Sequence, residues 1–195
     1  MNGTTRAQFI SRGAKGGLGL VAGEALLGLA EGSALAAPSA DSDIAKLAAT
    51  AELLAIDFYK KAIASRRFSG DELSYMRAAL GNEQAHYKAL AGVLGRSAPK
   101  GLRFAYPRGA FASARGIGRL GQALETAFVG AYMGAVTALK SNELKGVAAQ
   151  IGANESRHLS VLTNIAAGGI VPAPALPKVL TAAQATAAVR PFLAR

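Results

Sequence analysis

Asn82-Glu83-Gln84-Ala85-His86 and Asn154-Glu155-Ser156-Arg157-His158 contain the only two histidines of a 195-residue chain, and both read Asn-Glu-x-x-His. Residues three apart on a helix share a face, so each segment, if helical, presents a carboxylate and an imidazole to one point. A lone Glu-x-x-His is usually a surface pair. Two copies are more specific, and each has a partner upstream. Glu52 stands among Ala51, Leu53, Leu54 and Ala55, and Glu125 among Ala123, Leu124, Ala127 and Phe128. Glu52 precedes Glu83 by 31 residues and Glu125 precedes Glu155 by 30, so the chain is a pseudo-repeat. Each half supplies one Glu and one Glu-x-x-His.

Working outward from these segments, each half reads as a helical hairpin. Ile44, Leu47, Ala48, Ala51, Leu54, Ala55, Phe58 and Ile63 form an apolar stripe at three- and four-residue spacing, which predicts a helix from about Asp41 to Ser65. Ser69-Gly70-Asp71-Glu72 has the Ser-x-x-Glu form of a capping box and starts a second helix running to Leu94, before Gly95. The stretch from Gly95 to Phe111 holds Pro99, Gly101, Pro107 and Gly109 and no helical period, so it is a long crossover. A third helix spans about Ser113 to Lys140 and a fourth Asn142 to Ala167, before Gly168-Gly169. Short connections within each half make its helices antiparallel neighbours. The fold expected is all-α: a four-helix bundle of two antiparallel hairpins joined by a long crossover, over 37–170. Residues 171–195, with Pro172, Pro174, Pro177 and a short helix from Thr181 to Val189, form a strap over it.

Composition agrees. The chain is 51% hydrophobic, dominated by Ala and Leu, with no alternating run of the kind a half-buried strand shows. It lacks Cys, which excludes disulfides, thiolate metal sites and thiol catalysis, so a metal site must use His and carboxylates. The net charge is +10, carried in part by Lys60, Lys61, Arg66, Arg67 and by Arg103, Arg108, Arg115, Arg119. A solvated basic exterior accounts for this, and no nucleic-acid motif accompanies it. Against that charge, four of only 12 acids sit on apolar helix faces. Burying unpaired carboxylates costs several kcal/mol each. Two divalent cations carry the four positive charges that cancel four carboxylates. The expected ligands are therefore Glu52, Glu83, His86, Glu125, Glu155 and His158, with Glu83 and Glu155 bridging and Glu52 and Glu125 terminal. Tyr59 and Tyr132 each follow an upstream Glu by seven residues, two turns along the same face. Their hydroxyls are placed to hydrogen-bond a ligating carboxylate or to serve as redox groups. Asn82 and Asn154 are candidates to orient a His through its other ring nitrogen.

The first forty residues have a different character. Met1 to Lys15 carries Arg6, Arg12 and Lys15 and no acid, Gly16 to Ala30 is rich in Gly, Leu and Ala, and Ala34-Leu35-Ala36 is a small-x-small cleavage pattern. This is the layout of an export signal over 1–36, and it predicts a periplasmic or extracellular protein. Glu24 and Glu31 interrupt the apolar run, so it is too polar for a membrane span. Thr5-Arg6-Ala7-Gln8-Phe9-Ile10 resembles a twin-arginine signal in which Ala7 replaces one Arg.

The two Asn-Glu-x-x-His segments resemble the ferritin-like superfamily of dinuclear carboxylate proteins, as do Ala51-Glu52-Leu53-Leu54-Ala55 with Tyr59 and Leu124-Glu125 with Ala131-Tyr132-Met133-Gly134-Ala135. The crossover Phe104-Ala105-Tyr106-Pro107-Arg108-Gly109-Ala110-Phe111 and the tail from Leu176 to Leu193 resemble its exported, desiccation-related branch. The resemblance implies the same six ligands. It does not imply one activity, because the fold hosts storage, oxidase and oxygenase chemistry. Two iron ions, or manganese, reacting with oxygen or peroxide in iron oxidation or peroxide detoxification form the first reading. A metal-binding, stress-protective protein without turnover is the second, and an iron-storing or mini-ferritin-like assembly the third.

Overall fold

The computed structural model describes residues 39–171 and 174–194. The expected leader at 1–36 lies outside the described residues. Four long helices appear where the apolar periodicity places them: α1 (Ser39–Ala64), α2 (Gly70–Leu94), α3 (Ala114–Ala138) and α4 (Asn142–Ala167). A short α5 (Ala182–Val189) follows. Among the described residues there is no strand, only an isolated bridge between Phe104 and Leu193.

Local chemistry sets the ends of the helices. Ser113 caps α3 by accepting from Gly116 N–H at 3.1 Å, and Ser141 caps α4 by accepting from Leu144 N–H at 3.3 Å. Gly168 closes α4 in the left-handed conformation, with its N–H on Asn164 O at 2.8 Å. The capping box expected at Ser69-Gly70-Asp71-Glu72 does not form. Ser69 is the N-cap in extended backbone, yet its side chain takes no capping bond. This end of α2 is exposed, so water solvates its free N–H groups, and the main-chain bond from Leu73 N–H to Ser69 O at 3.3 Å closes the turn. A complete box forms instead at α5, where Thr181 and Gln184 cap each other's backbone.

The helices pair as two hairpins, α1 with α2 and α3 with α4, and α1 packs on α3. The α3–α4 approach is close because α3 carries Gly118, where a Cβ would lie 2.7 Å from the backbone nitrogen of Ala166. Asp41, buried in the first turn of α1, ties the hairpins together. Its carboxylate accepts from Lys140 N–H and Ser141 N–H, each at 2.9 Å, at the α3–α4 turn. Those N–H groups hold its carboxyl below the ordinary aspartate value, Ser141 first and Lys140 next. The crossover is anchored at both ends of its path. Tyr87 donates to Pro99 O at 2.8 Å, and Ala105 N–H donates to Phe192 O at 2.8 Å.

Two apolar clusters fill the bundle. One contains Leu54, Phe58, Met76, Ile117, Phe128 and Leu162, and the other Leu90, Leu94, Leu144, Val147 and Ile151. On α2 and α4 the charged residues of the next section lie between the two clusters, whereas on α1 and α3 Glu52 and Glu125 stand among residues of the first.

Candidate metal centre

Glu52 lies in α1, Glu83 and His86 in α2, Glu125 in α3, and Glu155 and His158 in α4. All six are buried, and Glu83 and Glu155 are 0% exposed. They fall into two groups of four whose candidate ligand atoms lie within 4.8 Å of one another: Glu52, Glu83, His86 and Glu155, and Glu83, Glu125, Glu155 and His158. Glu83 and Glu155 belong to both groups. Each remaining Glu belongs to one, paired with the His of its own hairpin. Either group can hold a metal ion, since both offer three carboxylates and one imidazole, oxygen and nitrogen donors suited to hard or borderline divalent cations.

Distances follow the same pseudo-symmetry. His86 Nδ1 is 3.0 Å from Glu155 and 3.4 Å from both Glu52 and Glu83. His158 Nδ1 is 2.8 Å from Glu83, 3.0 Å from Glu155 and 3.8 Å from Glu125. Both Nδ1 atoms point into the carboxylate cluster. Many of these approaches lack hydrogen-bond alignment: Glu52 Oε2, both oxygens of Glu83, Glu125 Oε2, Glu155 Oε1 and His86 Nδ1 are buried without a hydrogen-bond partner. Buried polar atoms without partners cost about 1–3 kcal/mol each, more when charged. So many orphaned donors converging on one volume fit a site built for cations.

Electrostatics point the same way. Burial pushes Glu83 well above the ordinary glutamate value, and the charges of Glu155 and Glu52 push it further. Glu125 is raised by burial and then by Glu155 and Glu83. Glu155 takes the opposite course: burial pulls it up, but the imidazoles of His158 and His86 bring it down to about 2. His86 mirrors it, because burial alone would depress the ring, while the carboxylates of Glu155, Glu52 and Glu83 push it up to about 12. The cluster is short of positive charge, and protons on imidazole supply part of it.

Around the six, the two tyrosines named from the sequence both meet carboxylates, with an exchange between hairpins. Tyr59 of α1 donates to Glu125 Oε1 of α3 at 2.7 Å, and Tyr132 of α3 donates to Glu52 Oε1 of α1. Neither bonds the Glu seven residues before it. Asn82 meets His158 across the bundle, its side-chain amide 3.2 Å from Nε2. The amide nitrogen faces Nε2 and donates to it, so Nδ1 carries the ring proton and donates to Glu155 Oε2 at 3.0 Å. Asn154 forms no equivalent bond to His86: its Oδ1 is buried without a partner. One aromatic was not anticipated. Tyr75 of α2 packs edge-on to His158, with ring centroids 6.2 Å apart, and its hydroxyl is buried and unpartnered. Its only sequence signal is its position, eleven residues before His86, three turns along the same helix.

A bundle of two helical hairpins enclosing four carboxylates and two imidazoles in this pattern defines a class, the helical proteins with a dinuclear carboxylate site. The sequence profile of the ferritin-like domain matches residues 40–168, and the chain belongs to the ferritin-like domain family. No curated protein matches it. Among the described residues, no helix is long and apolar enough to cross a membrane.

Proposed function

We propose that this is an exported dinuclear metal protein that holds two iron ions, with manganese as the alternative, and oxidises iron at the expense of oxygen or peroxide. One observation carries the reading: two four-residue groups share Glu83 and Glu155 and are completed separately by Glu52 with His86 and by Glu125 with His158. Two iron ions held by these residues would supply the one-electron redox chemistry that the carboxylates and imidazoles themselves lack. Glu83 and Glu155 would bridge, and the other four residues would be terminal ligands. Export is supported by the basic, Gly- and Leu-rich segment over 1–36 and the Ala34-Leu35-Ala36 pattern.

The chain's own groups prepare this site in three ways. Tyr59 and Tyr132 lock the terminal carboxylates Glu125 and Glu52, each hydrogen bond binding one hairpin to the other. Asn82 fixes the ring orientation of His158. The flanking apolar clusters exclude water and strengthen every charge interaction inside. Tyr59 and Tyr132 are also the redox side chains of this proposal. Each phenol already donates its proton to a carboxylate oxygen, Tyr59 to Glu125 Oε1 and Tyr132 to Glu52 Oε1, so the proton that a one-electron oxidation of the ring would release has an acceptor in place.

The test is anaerobic Fe(II) titration followed by oxygen consumption. The expected result is two Fe(II) per chain, oxygen uptake above the rate of free Fe(II), and loss of one ion in Glu52→Ala. Binding of fewer than two ions by the unaltered protein refutes the dinuclear reading. The burial of the whole cluster supports a second reading, a metal that stabilises the bundle without turnover. In that case metal removal lowers the unfolding temperature while oxygen consumption stays at background.

A further inference from the structure

The two ligand groups match in residue type but differ in how they are enclosed. The side chains of Glu83, Glu125, Glu155 and His158 are all at most 1% exposed. In the other group Glu52 is 3% and His86 8% exposed. His86 Nδ1 is itself buried, so that exposure falls on the rest of the side chain, and solvent meets the cluster at His86. The surroundings of the two rings differ in the same sense. His158 is held at both nitrogens, by Asn82 at Nε2 and by Glu155 at Nδ1, and Tyr59 and Tyr75 stand edge-on to it with centroids 5.7 and 6.2 Å away. His86 Nδ1 has no aligned partner, and Asn154, at the position matching Asn82, leaves its Oδ1 unpartnered. Among the described residues the one aromatic ring against His86 is His158 itself, at 6.4 Å. The helices that carry these residues, α2 and α4, also approach each other less closely than the two helices of either hairpin.

Enclosure and anchoring govern how readily a ligand lets go. A ring fixed by its neighbours keeps one orientation, whereas a ring free at one edge and open to water can turn aside while water takes its place. On the dinuclear reading, we propose that the two metal positions are inequivalent. The position of Glu52, Glu83, His86 and Glu155 admits and exchanges its ion through His86, and the position of Glu83, Glu125, Glu155 and His158 retains its ion. Asn82 is the positioning residue of the retaining side, acting through the His158 ring. Its amide suits that task, because by turning over it can donate to a bare Nε2 or accept from a protonated one. Glu83 and Glu155 belong to both groups, so the inner position is reached from the outer one without leaving their oxygens.

The experiment loads the full chain with Mn(II) under argon, adds excess chelator, and counts the manganese that stays with the protein over time. The expected result is release in two phases of equal size, one ion leaving roughly tenfold or more faster than the other. His86→Ala should abolish the fast phase and keep the slow ion, and His158→Ala should do the reverse. Asn82→Ala should still take up two ions but speed the slow phase roughly tenfold, the effect expected for loss of a hydrogen bond to a ligating histidine. Asn82→Asp, which can accept from Nε2–H, should restore slow release, a rescue that a merely structural role of Asn82 would not produce. Asn154→Ala, at the matched position, should move neither phase. Fewer than two ions on the unaltered protein refutes the dinuclear reading and this proposal with it. Two bound ions that leave at one rate overturn this proposal alone, as does retention of the slow ion in His158→Ala or equal acceleration in Asn82→Ala and Asn154→Ala.

Discussion

Glu125→Gln should stabilise the metal-free protein and destabilise the metal-loaded one. Without metal, Glu125 is 1% exposed, its Oε2 has no hydrogen-bond partner, and burial together with Glu155 and Glu83 raises its carboxyl well above 4.5. An acid whose folded-state pKa is raised opposes folding. The penalty is absent below the unfolded value of 4.5, grows as pH rises toward the folded value, and is constant beyond it. At neutral pH it is capped by the free energy of holding a proton across the gap from 4.5 to 7, about 3 kcal/mol. Glutamine keeps the shape and retains an Oε1 to accept the bond from Tyr59, while removing the charge. The expected gain in chelator at pH 7 is about 1–3 kcal/mol. At about 2–4 °C per kcal/mol for a chain of this size, that is a rise of roughly 2–12 °C in unfolding temperature. The gain should vanish as pH falls to 4.5. With saturating Mn(II) the order inverts, because a ligand at 100 times its dissociation constant contributes about 2.7 kcal/mol and the variant has lost a charged ligand. Far-UV circular dichroism melts of both proteins, with chelator and with Mn(II), between pH 4.5 and 8, provide the assay. A Glu125→Gln protein that melts below the unaltered one in chelator at pH 7 refutes the reasoning, as does a variant that responds equally to metal.

Two further outcomes follow from the frame around the site. Gly134→Ala gains about 1 kcal/mol of helix propensity but forces Leu180 off α3, and overpacking of this kind costs about 1–3 kcal/mol. Limited proteolysis should then cut the strap before α5 much faster than in the unaltered chain, with a net fall in unfolding temperature. Asp41→Ala leaves the N–H groups of Lys140 and Ser141 without their acceptor and should lower the unfolding temperature at pH 7. Because the folded-state pKa of Asp41 lies below 3.8, its contribution is complete above that value and is lost as pH falls through the folded one. The difference between variant and unaltered protein should therefore shrink in acid melts.

Much of this architecture was legible before any coordinates. The second helix was expected to end at Leu94 and the fourth to span Asn142 to Ala167, and both do, because Gly95 and Gly168-Gly169 punctuate the chain where apolar periodicity stops. The six buried acids and imidazoles stood out because a charged residue on an apolar helix face has few explanations, and here two matched sets shared one spacing. These are local properties, written in the order of residues along each helix.

What the tertiary structure decided is which side chain meets which across the bundle. Sequence spacing placed Tyr59 on the face of Glu52, yet the tyrosine bonds Glu125, and Tyr132 bonds Glu52 in return. Asn82 and Asn154 are equivalent in sequence, but only Asn82 reaches a histidine, and that histidine belongs to the other hairpin. The latch at Asp41 and the position of Tyr75 had no signature along the chain. Periodicity specifies the face a residue occupies on its own helix. The partner it finds there depends on the rotation and axial offset of the neighbouring helix, and those are set by packing of the whole core, down to glycines such as Gly118 and Gly134 that let one backbone approach another.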